Sequence, residues 1–280
     1  MAIPNYATWK RKVEGAQFRG LFTKNSLTMV SGTLGFYSSF TSAPDAGAAP
    51  GATVRQCGRA TAGNLFADQR NDLDLNTAPL FLSDIEVMQP ANQSRPVAPV
   101  LLVDRLADVS GMSGIVITAQ AAGAGLAPSR YTDGKGVMAA VQFYTQIGTT
   151  ATTLTISYTN QAGTAGQISK SIVFGGATAQ VVGQILPIPL ADGDTGIQSV
   201  QSATVLATTG TAGNFGIVLY RPLAVMPPAC ANGPSGYRDL LAAGAIDELS
   251  DDACLELWYN GLAATATGIH TGRVGFIRSD

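Results

Sequence analysis

Catalysis needs an acid, a base or a nucleophile held in place, and this chain offers few side chains able to serve. His270 is the only histidine among 280 residues. It stands in a Gly/Thr stretch beside the last strand with no second His or motif nearby, and it reads as a structural or exposed imidazole. The run Asp133-Gly134-Lys135-Gly136 puts a lysine among glycines. A phosphate loop would need Gly where Ser129 stands and Ser or Thr where Gly136 stands, so the pattern fails. Asp192, Asp194 and Gly196 open like a calcium loop without its distal Glu, and Asp68, Asp72 and Asp74 around Arg70 lack both that Glu and the glycine turn. Cys57, Cys230 and Cys254 form no C-x-x-C pair and read as buried free thiols of a chain made in a reducing cytosol. Paired carboxylates of a glycosidase would leave no trace in sequence, although two tryptophans in all argue against a sugar-binding cleft. The expectation is a protein without catalytic, cofactor-binding or metal-binding residues, and not an enzyme.

The elements that would carry any site are strands. Thr152 to Thr159 alternates Leu154, Ile156 and Tyr158 with Thr153, Thr155, Ser157 and Thr159, the period-two pattern of a half-buried strand. A turn cluster at Asn160 to Gly166 then leads into Gln167 to Phe174, which predicts a hairpin. Further strands are predicted over Pro79 to Met88 (Leu80, Leu82 and Val87 inward, Asp84 and Glu86 outward), Val97 to Arg105, Ile115 to Ala119, Val137 to Ile147, Ala179 to Ile188, Ile197 to Ala207, Phe215 to Arg221, Ala253 to Tyr259 and Arg273 to Arg278. Ala121 to Gly136 reads as a long loop, Pro222 to Gly236 as a connector barred from regular structure by its prolines, and Tyr237 to Ala243 as one helical turn. Trp9, Val13 and their charged neighbours have the spacing of a short helix within residues 1 to 24. The expected architecture is all-β: an antiparallel β-sandwich, jelly-roll or Greek-key like, over 76–280, with an extended N-terminal arm and possible short helix over 1–75.

Charged residues are 13% of the chain, against about 25% in an ordinary soluble domain. Gly136 to Tyr220 carries only Lys170, Asp192 and Asp194. A monomer keeps its surface charged and its sheet edges defended, so the deficit points to a surface covered by copies of the chain or by partners. The net charge of −2 excludes an electrostatic match to nucleic acid. No apolar run reaches the ~18 residues of a membrane-spanning helix. Lys10, Arg11, Lys12, Arg19 and Lys24 cluster near the start, while six acids fall between Asp239 and Glu256, so a basic arm could meet an acidic patch on a neighbour.

Arg130-Tyr-Thr-Asp-Gly-Lys-Gly-Val-Met-Ala-Ala-Val, Tyr144-Thr-Gln-Ile-Gly-Thr-Thr-Ala-Thr-Thr, Ile156-Ser-Tyr-Thr-Asn-Gln-Ala-Gly-Thr-Ala-Gly and Asp252-Ala-Cys-Leu-Glu-Leu-Trp-Tyr resemble segments of uncharacterised virion structural proteins of tailed bacteriophages. The resemblance implies a capsid decoration or cement protein, or a neck, tail or fibre-associated module that could bind host glycan. It implies a location in the virion after synthesis in the bacterial cytoplasm. The partners it implies are the major capsid protein or other virion proteins, and cement proteins often sit at three-fold positions, so a homotrimer is expected. Trp9, Lys10, Arg11, Lys12, Val13 and Phe18 are the expected partner-binding residues of the arm.

Overall fold

Strands buried on both faces lose the alternation that marks a half-exposed strand, and this protein has several. The computed structural model describes residues 17–29, 35–66, 80–88, 99–176, 180–226, 236–240, 248–260 and 265–278. At its centre, β5 (Val100–Met112) and β13 (Asn214–Met226) pair antiparallel over most of their lengths. From β13 the sheet continues through β7 (Met138–Thr145), β11 (Gln184–Ile188), β2 (Phe36–Ser38) and β16 (Leu255–Asn260) back to β5. Six strands thus close into a barrel, which leaves no unpaired edge within the ring. β3 (Arg55–Gln56) is attached outside the ring, on β5.

A sheet covers the barrel on either side. The first has β8 (Thr152–Asn160) and β12 (Ile197–Val205) at its centre, with β10 (Ile172–Phe174) and β9 (Gln167–Ile168) on β8 and β6 (Gln120–Leu126) on β12. Its inward side chains Leu154, Ile156 and Tyr158 pack with Val141, Phe143, Phe215, Ile217 and Leu219 of the barrel wall. Phe174 lies 5.6 Å from Phe143 and 4.9 Å from Phe215, centroid to centroid. Each such side chain removed from water contributes about 1.5–3 kcal/mol. The second sheet contains β1 (Gln17–Met29), β17 (Thr265–Arg278), β4 (Leu80–Met88) and β14 (Gly236–Asp239) in that order, with β15 (Glu248–Leu249) also on β4. Phe22, Leu82, Ile85, Val274 and Phe276 meet Leu102, Leu255 and Leu257 from the other side of the barrel. All pairings are antiparallel, and among the described residues the helical content is one 3-10 turn, Ser39–Thr41.

The hairpin stands as expected: β8 buries Leu154, Ile156 and Tyr158, and both β9 and β10 return along it. Several expectations are corrected. Residues 17–24, expected in a helix, are part of β1, and Lys24, expected on a basic arm, is buried and donates to the Pro44 carbonyl at 2.8 Å. Residues 17–29, 36–38 and 55–56 of the expected arm are strands of these sheets. Asp84 is buried, because β4 is covered on both faces. Ile115 to Ala119 is irregular, whereas Gln120 to Leu126 inside the expected loop is β6. Its Ala/Gly composition hides it, yet pairing with β12 supplies what propensity does not. Pro222 lies inside β13 at a register shift between Pro222 and Ala224, where a strand tolerates a missing N–H. Residues 236–239 form a strand in place of a helical turn, and the last strand, expected from Arg273, begins already at Thr265 as β17.

Candidate functional site

The barrel lumen is built by side chains that alternate inward from all six strands. One end is apolar: Val103, Ala140, Ile185, Val218, Tyr220 and Trp258 form a cluster with Phe36, Leu101 and Met138. The other end holds charges. A bulge makes this possible. Opposite Leu219 and Tyr220 of β13, β5 presents Ala107 and Arg105, so Leu106 is an extra residue that shifts the strand's parity. Arg105 and Asp108, three positions apart, then share the lumen instead of opposite faces.

Arg105 donates from Nε and Nη2 to Asp108 Oδ2 at 2.9 and 2.6 Å, from Nη1 to Glu256 Oε2 at 3.1 Å, and from Nη2 to Tyr144 Oη at 3.0 Å. Glu256 Oε1 accepts from Trp258 Nε1 at 2.7 Å and from Ser38 Oγ. Arg55 reaches in from β3 and donates to both oxygens of Asp108 at 2.9 and 2.6 Å. On the opposite face of β5, Asp104 accepts from Arg130 Nε at 3.0 Å and from the Cys254 amide at 2.9 Å. Arg130 also donates to the backbone carbonyls of Cys57 and Arg105. Three arginines therefore balance three carboxylates around one stretch of β5, as burial of charge demands.

Phe40 seals this end. Its ring is fully buried, 3.9 Å from the Arg105 guanidinium carbon and 5.2 Å from that of Arg55, both within cation–π range. Its socket depends on two glycines: a Cβ on Gly47 or Gly63 would come within 2.0 or 2.4 Å of the ring. Cys57 and Cys254 complete the cluster.

The electrostatics follow from the enclosure. Burial works against the charge on Arg105, but Asp108, Tyr144 and Glu256 outweigh it and hold its pKa well above the usual value. Burial raises the Asp104 carboxyl despite Arg130. Burial, with Asp108 adding to it, pushes the Cys57 thiol to about 12, and Cys254 also moves up, again chiefly through burial. The thiols are held protonated and the carboxylates are held by hydrogen bonds. Such a set fixes strand register and closes a barrel.

Two surfaces are open to partners. A shallow cleft lies between the 58–66 segment and the second sheet, lined by Arg59 and Asp251 together with the apolar Phe66, Leu249 and Phe276. The outer face of the first sheet is uncharged along β8 and β12, presenting Thr153, Thr155, Ser157, Thr159, Ser199, Gln201 and Thr204, and it ends in exposed aliphatic residues.

Of the expected partner-binding residues, Trp9, Lys10, Arg11, Lys12 and Val13 lie outside the described residues, and Phe18 is in β1 in register with Phe276. Cys57 and Cys254 are free and buried, as expected, while Cys230 and the Asp68–Asp74 cluster lie outside the described residues. His270 is in β17 and stacked on Tyr259 at 4.0 Å. Asp194 accepts from Tyr158 and Asn160, and Asp192 pairs with Lys170 on the surface. Among the described residues no group of three His, Cys, Asp or Glu could hold a metal ion, and no helix is long and apolar enough to cross a membrane. The ionic cluster escaped sequence reasoning. Its signal was the Asp104, Arg105 and Asp108 trio set inside an otherwise apolar strand.

No protein-family model matches the chain, and no curated protein matches it. Among solved structures, the VP2 subviral particle of infectious bursal disease virus is similar at 8% identity over 94% of this chain and 81% of that chain, with a TM-score of 0.20. VP2-derived T=1 particles of the same virus, carrying a D431N mutation, give 9%, 94%, 78% and 0.21, and the Gx strain gives 10%, 94%, 81% and 0.19. A superposition this loose assigns neither fold family nor function.

Proposed function

We propose that this protein is a structural component of a bacteriophage virion, a capsid decoration or cement protein that binds the shell through subunit contacts and its N-terminal arm. The observation that carries the reading is the pairing of a barrel whose charges are locked inside with an outer sheet face that has none. A free monomer needs surface charge for solubility, whereas a subunit surrounded by copies and shell proteins does not. The short phrases shared in texture with tailed-phage virion proteins point the same way. Many weak contacts acting together multiply in such an assembly, and a homotrimer at a three-fold position suits the symmetry of a shell.

The test is particle incorporation. A deletion of residues 1–16 spares β1, which starts at Gln17, and the truncated protein is expected to fold yet fail to join particles. Normal incorporation of that variant would remove the arm from the account. The second reading, a neck, tail or fibre-associated module binding host glycan, would be favoured by a tail-tip location together with a positive glycan array.

A further inference from the structure

An aspartate followed by glycine can condense its side-chain carboxyl with the next backbone nitrogen, because glycine puts no Cβ in the way of the five-membered ring. The chain contains Asp133-Gly134 and Asp192-Gly193, and the fold treats their peptide bonds in opposite ways. Gly134 is buried and its amide donates to the Tyr131 carbonyl at 2.9 Å, while the Asp133 carbonyl accepts from Gln198 Nε2 at 3.5 Å. The Asp133 carboxylate accepts from the Lys135 amide at 3.3 Å, and Lys135 in turn forms a β-bridge with Gly196. A Cβ at Gly134 would come within 2.7 Å of the Ile197 carbonyl carbon. This peptide plane is both bonded and packed, so its nitrogen is held away from the carboxyl.

Asp192-Gly193 forms the exposed tip of a turn closed by the Asp194 amide, which donates to the Ala191 carbonyl at 3.1 Å. Gly193 has a φ of +89°, a left-handed value that glycine supplies at the third position of a turn, and a Cβ there would meet nothing within 4 Å. Among the described residues neither the Gly193 N–H nor the Asp192 carbonyl has a hydrogen-bond partner. The peptide between them is therefore free to rotate and bring its nitrogen to the side chain. Lys170 Nζ lies 2.5 Å from Asp192 Oδ1, but with side chains 53% and 91% exposed the pair restrains the carboxyl weakly. The turn is tied to the end of β8 one residue further on, where Asp194 accepts from Tyr158 Oη and, at 2.7 Å, from Asn160 Nδ2.

We infer that Asp192 is a self-modification site, at which the folded chain isomerises its own backbone to isoaspartate. Gly193 N attacks Cγ of the neutral Asp192 carboxyl; the Cγ–N bond forms, the amide proton and the carboxyl hydroxyl leave together as water, and a cyclic imide results. One water then adds across either imide C–N bond, restoring aspartate or leaving a main chain that runs through Cβ and Cγ. Mass is unchanged, and no oxidant or cofactor enters. The product carries a free α-carboxyl, the group that S-adenosylmethionine-dependent isoaspartyl methyltransferases esterify, and its extra main-chain methylene loosens the hold of Asp194 on β8. The inference is independent of the assembly reading and is tested on the purified full chain. The protein is aged for weeks at neutral pH, folded or unfolded in guanidinium, and digested; electron-transfer fragmentation separates isoaspartyl from aspartyl peptides, and methyl transfer from labelled S-adenosylmethionine gives a second readout. Gly134 must first break a hydrogen bond of ordinary strength, so in the folded protein Asp192 is expected to isomerise about fivefold faster than Asp133, or more. In the unfolded chain the two rates should converge. Asp192→Glu, whose ring would be six-membered, should keep the wild-type thermal melt and lose the methyl-acceptor signal from this peptide. Equal rates in the folded protein, a faster reaction at Asp133, no isoaspartate at residue 192 once the unfolded chain has formed it, or a difference that persists in guanidinium overturns the inference.

Discussion

The Arg105 guanidinium carbon lies 3.9 Å from the centre of the Phe40 ring, and that contact closes the charged end of the barrel. Behind the ring, Arg105 spans Asp108 and Glu256, two carboxylates from strands that are neighbours in the ring but 148 residues apart in the chain. Truncating the plug should admit water to the ion pairs and leave a cavity. Phe40→Ala is expected to lose about 3–5 kcal/mol of stability, read from the midpoint of chemical denaturation, with Phe40→Leu losing clearly less.

Removing the hub has a different cause and a comparable size. Arg105→Met leaves Asp108 with only Arg55 and leaves Glu256 without its cation, and an uncompensated buried charge costs about 3–5 kcal/mol. Arg105→Met combined with Glu256→Gln should recover part of that loss. A double-mutant cycle without coupling between the two sites would contradict the network.

The lumen was hard to read in the sequence for a physical reason. Thr152 to Thr159 shows its alternation because β8 is wet on one face, and it was legible from composition alone. Val100 to Met112 is covered on both faces, so its run of apolar residues carried no face information, and the bulge at Leu106 that turns Asp108 inward has no sequence signature. β6, built from Ala and Gly, and the passage of β13 through Pro222 both depend on partners distant in sequence. Phe18 reads as an arm residue and stands instead in β1, because the strand it pairs with, at Phe276, comes from the other end of the chain, and the lumen arginines were hidden by their pairing.

Alkaline pH should loosen the fold from a definite threshold. The Cys57 thiol, about 9.0 in its ordinary setting, is raised to about 12 by burial and by Asp108. A raised thiol contributes fully below the lower value, and that contribution is lost between the two as the unfolded chain ionises first. Stability is therefore expected to fall as pH rises from about 9 toward 12, by up to about 4 kcal/mol from this group. Cys57→Ala should flatten the early part of that fall in denaturation series taken from pH 7 to 11. A superimposable pH profile for the variant would contradict the assignment.

Barrel closure can be tested at one atom. A Cβ at Gly216 would come within 2.0 Å of the Val109 carbonyl oxygen on β5, a clash with backbone that no rotamer relieves. Gly216→Ala should cost about 1–3 kcal/mol or more and open the β13–β5 seam, seen as faster amide exchange at Ile217 and Leu219. Unchanged exchange there would contradict a closed ring.

The place of the protein in a particle is decided by counting it. Quantitative mass spectrometry of purified virions, referenced to the major capsid protein, should find copies on the order of hundreds, set by the many equivalent positions of a shell. Six or twelve copies, or none, would contradict the decoration role.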